Sequence, residues 1–386
     1  MNTGALLIEK SICTTPRLPT APDSAKSGAR VAEQYGRWLL ALLVIAGIAV
    51  IAYVDWVVRA LSLGFLYIFP LAFGAIVMGR RLSLLLVSLC VLLVDWLGPY
   101  EHAGWHLLWR NLISLTGYLA VVLIVSGLVQ QRRNLTEIVR RQRDEMVKEI
   151  AQAALIQRRM LPQRTPLLDG VDLAARMQPA KVIAGDYYDF IELADGALGL
   201  VVADVVGKGV PAGLLTPTLK ATLRLEAPRA QQSHEVVAGL NQLLHDVTDE
   251  AHYVTLFYGI LNPQTRALQY TNGGHLPGLW RKAATREIVW LDKGGLSLGL
   301  FEGMKYESER VQLGRDDIIA LYSDGIVEAE NQRGEYFTRE RLAQLIAAHA
   351  TLAAEALLDV VFASLADFTE HEAPADDQTL LVLKIT

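Results

Sequence analysis

Apolar residues gather in long runs early in the chain and alternate with polar ones later. Four runs come first: Trp38 to Val54, Val57 to Met78, Leu82 to Leu97 and Leu112 to Val129. Each approaches the ~17–25 residues that cross hydrocarbon as a helix. The pattern predicts an α-helical membrane bundle of four spans over 38–129. Arg59, early in the second run, can snorkel outward, and Asp95, near the end of the third, must reach the interface or a partner.

From 130 to 161 the chain is strongly charged and holds no Gly or Pro until Pro162. Val139, Met146, Ala153 and Met160 recur at heptad spacing, with Arg143, Ile150 and Gln157 at the intervening seam positions. This predicts a connecting helix over 130–162. Its seam either pairs two protomers as a parallel coiled coil or lies on its own domain.

After Pro162 the period shortens. Apolar runs at 198–203, 254–261, 318–322 and 379–385 read as buried strands. Residues 211–226 and 233–248 read as amphipathic helices, the second with Val236, Leu240, Leu243, Leu244 and Val247 on one face. Residues 163–386 therefore form one α/β domain. Residues 1–37, mixed polar with Pro16, Pro19 and Pro22, read as a disordered tail without the apolar core of a cleavable signal.

Composition agrees with this division: 52% of residues are hydrophobic and 20% charged, against about 25% charged in soluble domains. The net charge of −5 offers no basic stripe for nucleic acid. Two cysteines, Cys13 and Cys90, cannot build a disulfide framework. Lys26, Arg30 and Arg37 precede the first run, Arg80 and Arg81 separate the second and third, and Arg132 and Arg133 follow the fourth. The positive-inside rule puts all three regions in the cytoplasm, with Asp55, Trp56 and the 98–105 loop opposite. Membrane lipid is then one partner.

Candidate chemistry lies in the acidic residues. Asp186 precedes Tyr-Tyr-Asp-Phe190, Asp204 ends the run 198–203, Asp324 follows 318–323, and Asp376-Asp377 precede the terminal strand. Singly, each suits a turn or a helix cap. Together they are carboxylates at the edges of buried strands, mostly beside glycine. Their desolvation and mutual repulsion call for cations. Hard oxygen ligands suit Mg²⁺ or Mn²⁺, and glycine would let the Val205 carbonyl approach as well. In the Asn272-Gly-Gly-His275 turn, a strong hairpin signal, His275 is either a hydrogen-bonded hairpin residue or a general acid. Lys181 and Lys208 are either solvated or in contact with a phosphate.

Five ordered blocks then carry a resemblance: 152–162 (Gln-Ala-Ala-Leu-Ile-Gln-Arg-Arg-Met-Leu-Pro), 179–190 (with Ala-Gly-Asp-Tyr-Tyr-Asp-Phe), 203–214 (Ala-Asp-Val-Val-Gly-Lys-Gly-Val-Pro-Ala-Gly-Leu), 272–277, and 321–329 with 376–379 (Asp-Asp-Gln-Thr). The chain from about 150 onward resembles the SpoIIE/RsbU-type branch of the PPM (PP2C-like) serine/threonine phosphatases. It departs from that pattern at Ala184, at Val206-Gly-Lys-Gly209, and at Thr338, where glycine is common.

The resemblance implies a PP2C-like α/β/β/α sandwich. It also implies two Mn²⁺ or Mg²⁺ ions on Asp186, Asp204, Asp324 and Asp376 or Asp377, with Asp204 bridging and Asp376 favoured over Asp377. Attack on phosphorus would then be in line, by activated water and without a covalent enzyme intermediate. The substrate implied is a phosphorylated protein, often an anti-anti-sigma (STAS) protein, and the setting a bacterial inner membrane with the catalytic domain in the cytoplasm. An inert phosphoprotein-binding module on a membrane sensor is the alternative. A nucleotidyl transferase would need a phosphate-binding signature such as the P-loop, which is absent.

Overall fold

The computed structural model describes residues 23–58, 63–97, 105–207, 209–248 and 252–386. The chain divides into two compact units, Met1–Gln142 and Arg143–Thr386.

The first unit is helical. Helix α1 (Asp23–Val57), a 3-10 turn (Gly64–Tyr67) running into α2 (Ile68–Val77), α3 (Arg80–Leu97) and α4 (Trp105–Met160) contain the four apolar runs. Val44, Ile48, Leu71, Val87, Val94 and Val122 form a shared interior, while Leu39, Leu42, Leu85, Leu92 and Ile124 stand exposed.

Three expectations change here. Among the described residues, two helices are long and apolar enough to cross a membrane, Trp38–Val57 and the Leu108–Met160 stretch. Among the described residues, the second run forms a shorter apolar helix, Gly64–Val77. The third carries Arg80, Arg81 and Asp95 within its length. Helix α1 also begins at Asp23, so 23–37 is helical rather than tail; residues 1–22, Arg59 and the loop 98–104 lie outside the described residues. Asp95 finds partners in α4, accepting from Asn111 (2.9 Å) and Arg110 (3.4 Å).

The second unit is a sandwich. Strands β1 (Val171–Gln178), β2 (Asp186–Glu192) and β3 (Leu198–Val205) come first. Helices α5 (Val210–Glu226) and α6 (Ser233–Val247) follow. Next come β4 (Val254–Asn262), β5 (Ala267–Gly273), β6 (Gly278–Arg281), β7 (Ile288–Leu291), β8 (Gly294–Gly295), β9 (Glu309–Gln312) and β10 (Ile318–Tyr322). Helices α7 (Asp324–Val327), α8 (Arg339–Ala348) and α9 (Ala354–Phe368) lead into β11 (Gln378–Ile385). One sheet has the order β1-β11-β10-β6-β7; the other has β2-β3-β4-β5-β8, with β9 also on β5.

The two-residue period sorts the side chains of each central strand. Leu198, Leu200 and Val202 join Ile319, Leu321, Leu381 and Leu383 between the sheets. Val201, Ala203 and Val205 face α5 and α6, and Ile318, Ala320, Leu380 and Val382 face α7, α8 and α9. Strands covered on both faces must be apolar throughout, which is why they appear in the sequence as unbroken runs. Helix α6 starts with a capping box, in which Gln232 and Glu235 satisfy each other's backbone N–H groups.

The Asn-Gly signal does not make a hairpin. Strand β5 belongs to one sheet and β6 to the other, so the chain crosses the sandwich at 274–277. The Asn272 side chain accepts from the His275 N–H and donates to the His275 carbonyl, closing a local turn. Gly274 sits at φ +70°, where a Cβ would lie 2.4 Å from the Ser297 hydroxyl. The close approach of Ser297 there requires glycine.

Candidate active site

The acidic residues gather at one end of the sandwich because strand pairing puts them there. Asp186 opens β2 and Asp204 nearly closes β3, and the two are direct partners in the antiparallel register. Tyr322 of β10 pairs with Leu380 of β11. The residues just beyond those strands, Ser323-Asp324 and Asp376-Asp377, are thereby neighbours too. Ser323 donates to the Asp377 carbonyl (3.0 Å) and accepts from the Thr379 N–H (2.9 Å). The Thr379 hydroxyl donates to Asp186, linking the two sheets at the site.

Asp186 is 2% exposed. Burial first, and the adjacent Asp204 carboxylate second, push its carboxyl well above the usual range, against the pull of hydrogen bonds from Thr379 and Ser323. A Cβ on Gly185 would sit 3.1 Å from the Val205 carbonyl oxygen, 3.4 Å from that of Gly207 and 3.5 Å from Asp204 Oδ1. The glycine thus keeps open a space ringed by hard oxygen donors. Gly325 allows a second close approach: a Cβ there would lie 2.2 Å from the Asp377 carbonyl oxygen.

The predicted residues do not all play equivalent parts. Asp186 and Asp204 face each other. Asp377 uses both oxygens on backbone, accepting from Ala180 N–H (2.7 Å) and Gly185 N–H (2.6 Å), and so braces the loop before β2. Asp376 accepts from the Asp377 N–H (2.9 Å). Asp324 heads the short α7. Among the described residues, no three His, Cys, Asp or Glu side chains close on one metal-sized point. The donor set that fits a hard divalent cation is a mixed one, the Asp186–Asp204 pair with the Val205 carbonyl. Lys181 is exposed, and Lys208 lies outside the described residues.

His275 spans the two sheets through its imidazole. It is 8% exposed. Its Nδ1 lies 2.8 Å from the Thr255 hydroxyl, and its Nε2 lies 3.1 Å from the Tyr322 carbonyl. A carbonyl only accepts, so Nε2 carries the proton and Nδ1 accepts from Thr255. Thr255 is the β4 partner of Asp204, and Tyr322 is two residues before Asp324. The imidazole therefore ties the two acidic loci together.

Burial lowers the His275 pKa from 6.5 to about 4. Between those values the unfolded chain binds a proton that the folded chain does not. Its contribution is full above about pH 6.5 and is lost as pH falls toward about 4, an effect of about 3 kcal/mol. Asp186, with its raised pKa, acts in the opposite direction. Wild type should therefore lose stability against His275→Gln as pH falls from 7 to 4; parallel pH–stability curves from denaturant unfolding would count against this role.

Two features escaped the sequence reading. Asp189, 1% exposed, accepts from the Tyr187 hydroxyl (2.7 Å), the Phe190 N–H (2.8 Å) and the Arg224 guanidinium (2.8 Å). It is a buried brace behind β2, and its place in the Asp-Tyr-Tyr-Asp-Phe block was the available signal. Gln157, assigned to a coiled-coil seam, instead holds the backbone of Ala184. Its Nε2 donates to the Ala184 carbonyl (2.6 Å) and its Oε1 accepts from the Ala184 N–H (3.0 Å).

Residues 194–386 match the family model described as Stage II sporulation protein E (SpoIIE). The chain belongs to the SpoIIE family. Phosphoserine phosphatase RsbU of Bacillus subtilis is 29% identical over 270 residues, covering 69% of this chain and 78% of RsbU. Phosphoserine phosphatase RsbP of the same organism is 25% identical over 186 residues, covering 47% of this chain and 45% of RsbP. The SiaA PP2C domain of Pseudomonas aeruginosa superposes with a TM-score of 0.56 at 21% identity, over 64% of this chain and 99% of that one, a likeness of fold. The C-terminal unit is a serine/threonine phosphatase domain of the SpoIIE family with a PP2C-like α/β sandwich fold.

Proposed function

We propose that this chain is a membrane-anchored, metal-dependent protein serine/threonine phosphatase of bacterial signalling, acting on a phosphorylated anti-anti-sigma (STAS-type) protein. The observation that carries this reading is the Asp186–Asp204 pair, set in register at the mouth of the sandwich beside the glycine-opened Val205 carbonyl. Two Mn²⁺ or Mg²⁺ ions would be held by Asp186, Asp204, Asp324 and Asp376, with the Val205 carbonyl. When bound, they would lower the pKa of water and neutralise charge on the phosphoryl oxygens. The chain's own part is positional. Thr379 and Ser323 orient Asp186, Asp377 fixes the loop 180–185, and His275 spaces the two acidic loci. The test is Mn²⁺-dependent phosphate release from a phosphorylated STAS protein; an inert binding module would bind that protein and release nothing.

The helices of the first unit, with apolar side chains both inside and outside, support a membrane domain over 38–129, and the Lys and Arg at 26–37, 80–81 and 132–133 support both termini in the cytoplasm. The exposed Val139 and Met146 of α4 support pairing of two protomers through 130–162. The regulatory element in this reading is the end of α4. A shift of its last turns would pull the Gln157 side chain from Ala184, two residues before Asp186, and disturb the site.

Gln157→Ala should therefore lower turnover about tenfold, within the range that small misplacements cost, without abolishing metal binding. A steady-state assay showing no change, or constant activity when α4 is cross-linked at several registers, would rule this coupling out.

A further inference from the structure

Thr338, one of the departures from the family pattern, lies in the wall of a pocket. This pocket of about 330 Å³ opens between Leu276, Val327, Glu328, Tyr336, Thr338 and Arg339. Two of its lining residues are close in sequence to the site. Leu276 follows His275, and Val327 ends α7, the helix that Asp324 begins. That helix is about one turn long, so the pocket lies roughly 5 Å further along. Its wall is fixed by the Phe337 and Thr338 N–H groups, which donate to the Ala329 and Val327 carbonyls (2.8 Å each).

Thr338 has φ 66° and ψ 153°, a region that belongs almost entirely to glycine and is most adverse for a β-branched residue. Its hydroxyl accepts from the Arg341 N–H (3.4 Å), but helix capping does not explain the strain. Capping threonines ordinarily sit in the extended region at negative φ. The strained backbone sets the threonine side chain in the pocket wall.

The chemistry of the lining limits what can enter. Leu276 and Val327 are apolar. The Arg339 guanidinium is engaged, bonded to Glu340 (2.9 Å) and 5.0 Å from the Trp290 ring centre. Glu328 is exposed and has no ion-pair partner among the described residues.

We propose that this pocket is a docking subsite for the phosphoprotein substrate. It takes an aliphatic side chain about one to two residues from the phosphorylated serine or threonine, with a Lys or Arg of the same segment facing Glu328. This rests on the protein-phosphatase reading above and adds the sequence around the phosphorylated residue.

The test uses the full chain in detergent with Mn²⁺. One substrate is a phosphoserine peptide library randomised on both sides and read by mass spectrometry; the other is p-nitrophenyl phosphate, which carries neither an aliphatic nor a basic side chain. Wild type should favour peptides carrying an aliphatic and a basic residue. Glu328→Lys should shift the basic-to-acidic preference about tenfold, as charge reversal at a recognition site does. Thr338→Gly, which removes the strain and should melt no lower than wild type, should weaken the aliphatic preference. Neither variant should alter turnover of p-nitrophenyl phosphate. Unchanged peptide selectivity in both variants, or a wild type that hydrolyses the small ester without selecting among peptides, would overturn the subsite alone. Failure to hydrolyse either substrate would overturn the phosphatase reading and the subsite with it.

Discussion

Replacing Asp204 by Asn is expected to cut phosphate release by about 10²–10³-fold or more, the scale on which removing a preorganised charge-stabilising group acts, while the metal-free domain becomes more stable. The two effects have one cause. Asp204 lies against the buried Asp186 and helps push that carboxyl up. Without a cation, the pair repels itself, and an amide removes the repulsion. With a cation, the same amide removes a ligand charge. Activity assays at saturating Mn²⁺ and denaturant unfolding in chelator would check both signs. A variant both less active and less stable would point to ordinary misfolding instead.

The second large effect is on stability alone. Asp189→Ala should cost about 2–4 kcal/mol, because two buried donors lose their acceptor at about 1–3 kcal/mol each, while the half-exposed Arg224 turns to solvent. The Tyr187 hydroxyl and the Phe190 N–H would lose their acceptor inside the protein, and Arg224 its counter-charge. Both residues belong to β2, which carries Asp186, so Tm should fall well before any change in metal affinity can be measured. Urea unfolding of the Arg143–Thr386 unit gives the value; a loss below about 1 kcal/mol, typical of an exposed pair, would show that Asp189 is not the brace described here.

How much of this was legible depended on the range of the interactions. Strands β3, β4, β10 and β11 could be read because a strand covered on both faces must be apolar along its length, and their ends delivered Asp204, Asp324 and Asp376 to one edge. Helix α6 could be read from its apolar face. What failed depended on distant partners. Nothing local in Asn272-Gly-Gly-His275 says that the chain crosses between sheets there, since that follows from β5 and β6 pairing with strands of different sheets. Gln157 fitted a heptad seam by position, yet its amide meets Ala184 across 27 residues of sequence. Asp376 and Asp377 are chemically alike, and only the fold gives Asp377 both the Ala180 and the Gly185 N–H groups. In the first unit, the described helix of the second run covers Gly64–Val77, and residues 59–62 lie outside the described residues.

The central claim is that side chains from separate strands cooperate to hold divalent cations. Titrating Mn²⁺ into the full chain while following the free-ion electron paramagnetic resonance signal measures this most directly. The account predicts two ions bound per wild-type chain and a clear loss of binding in Asp204→Asn. Equal Mn²⁺ uptake by both proteins would contradict it.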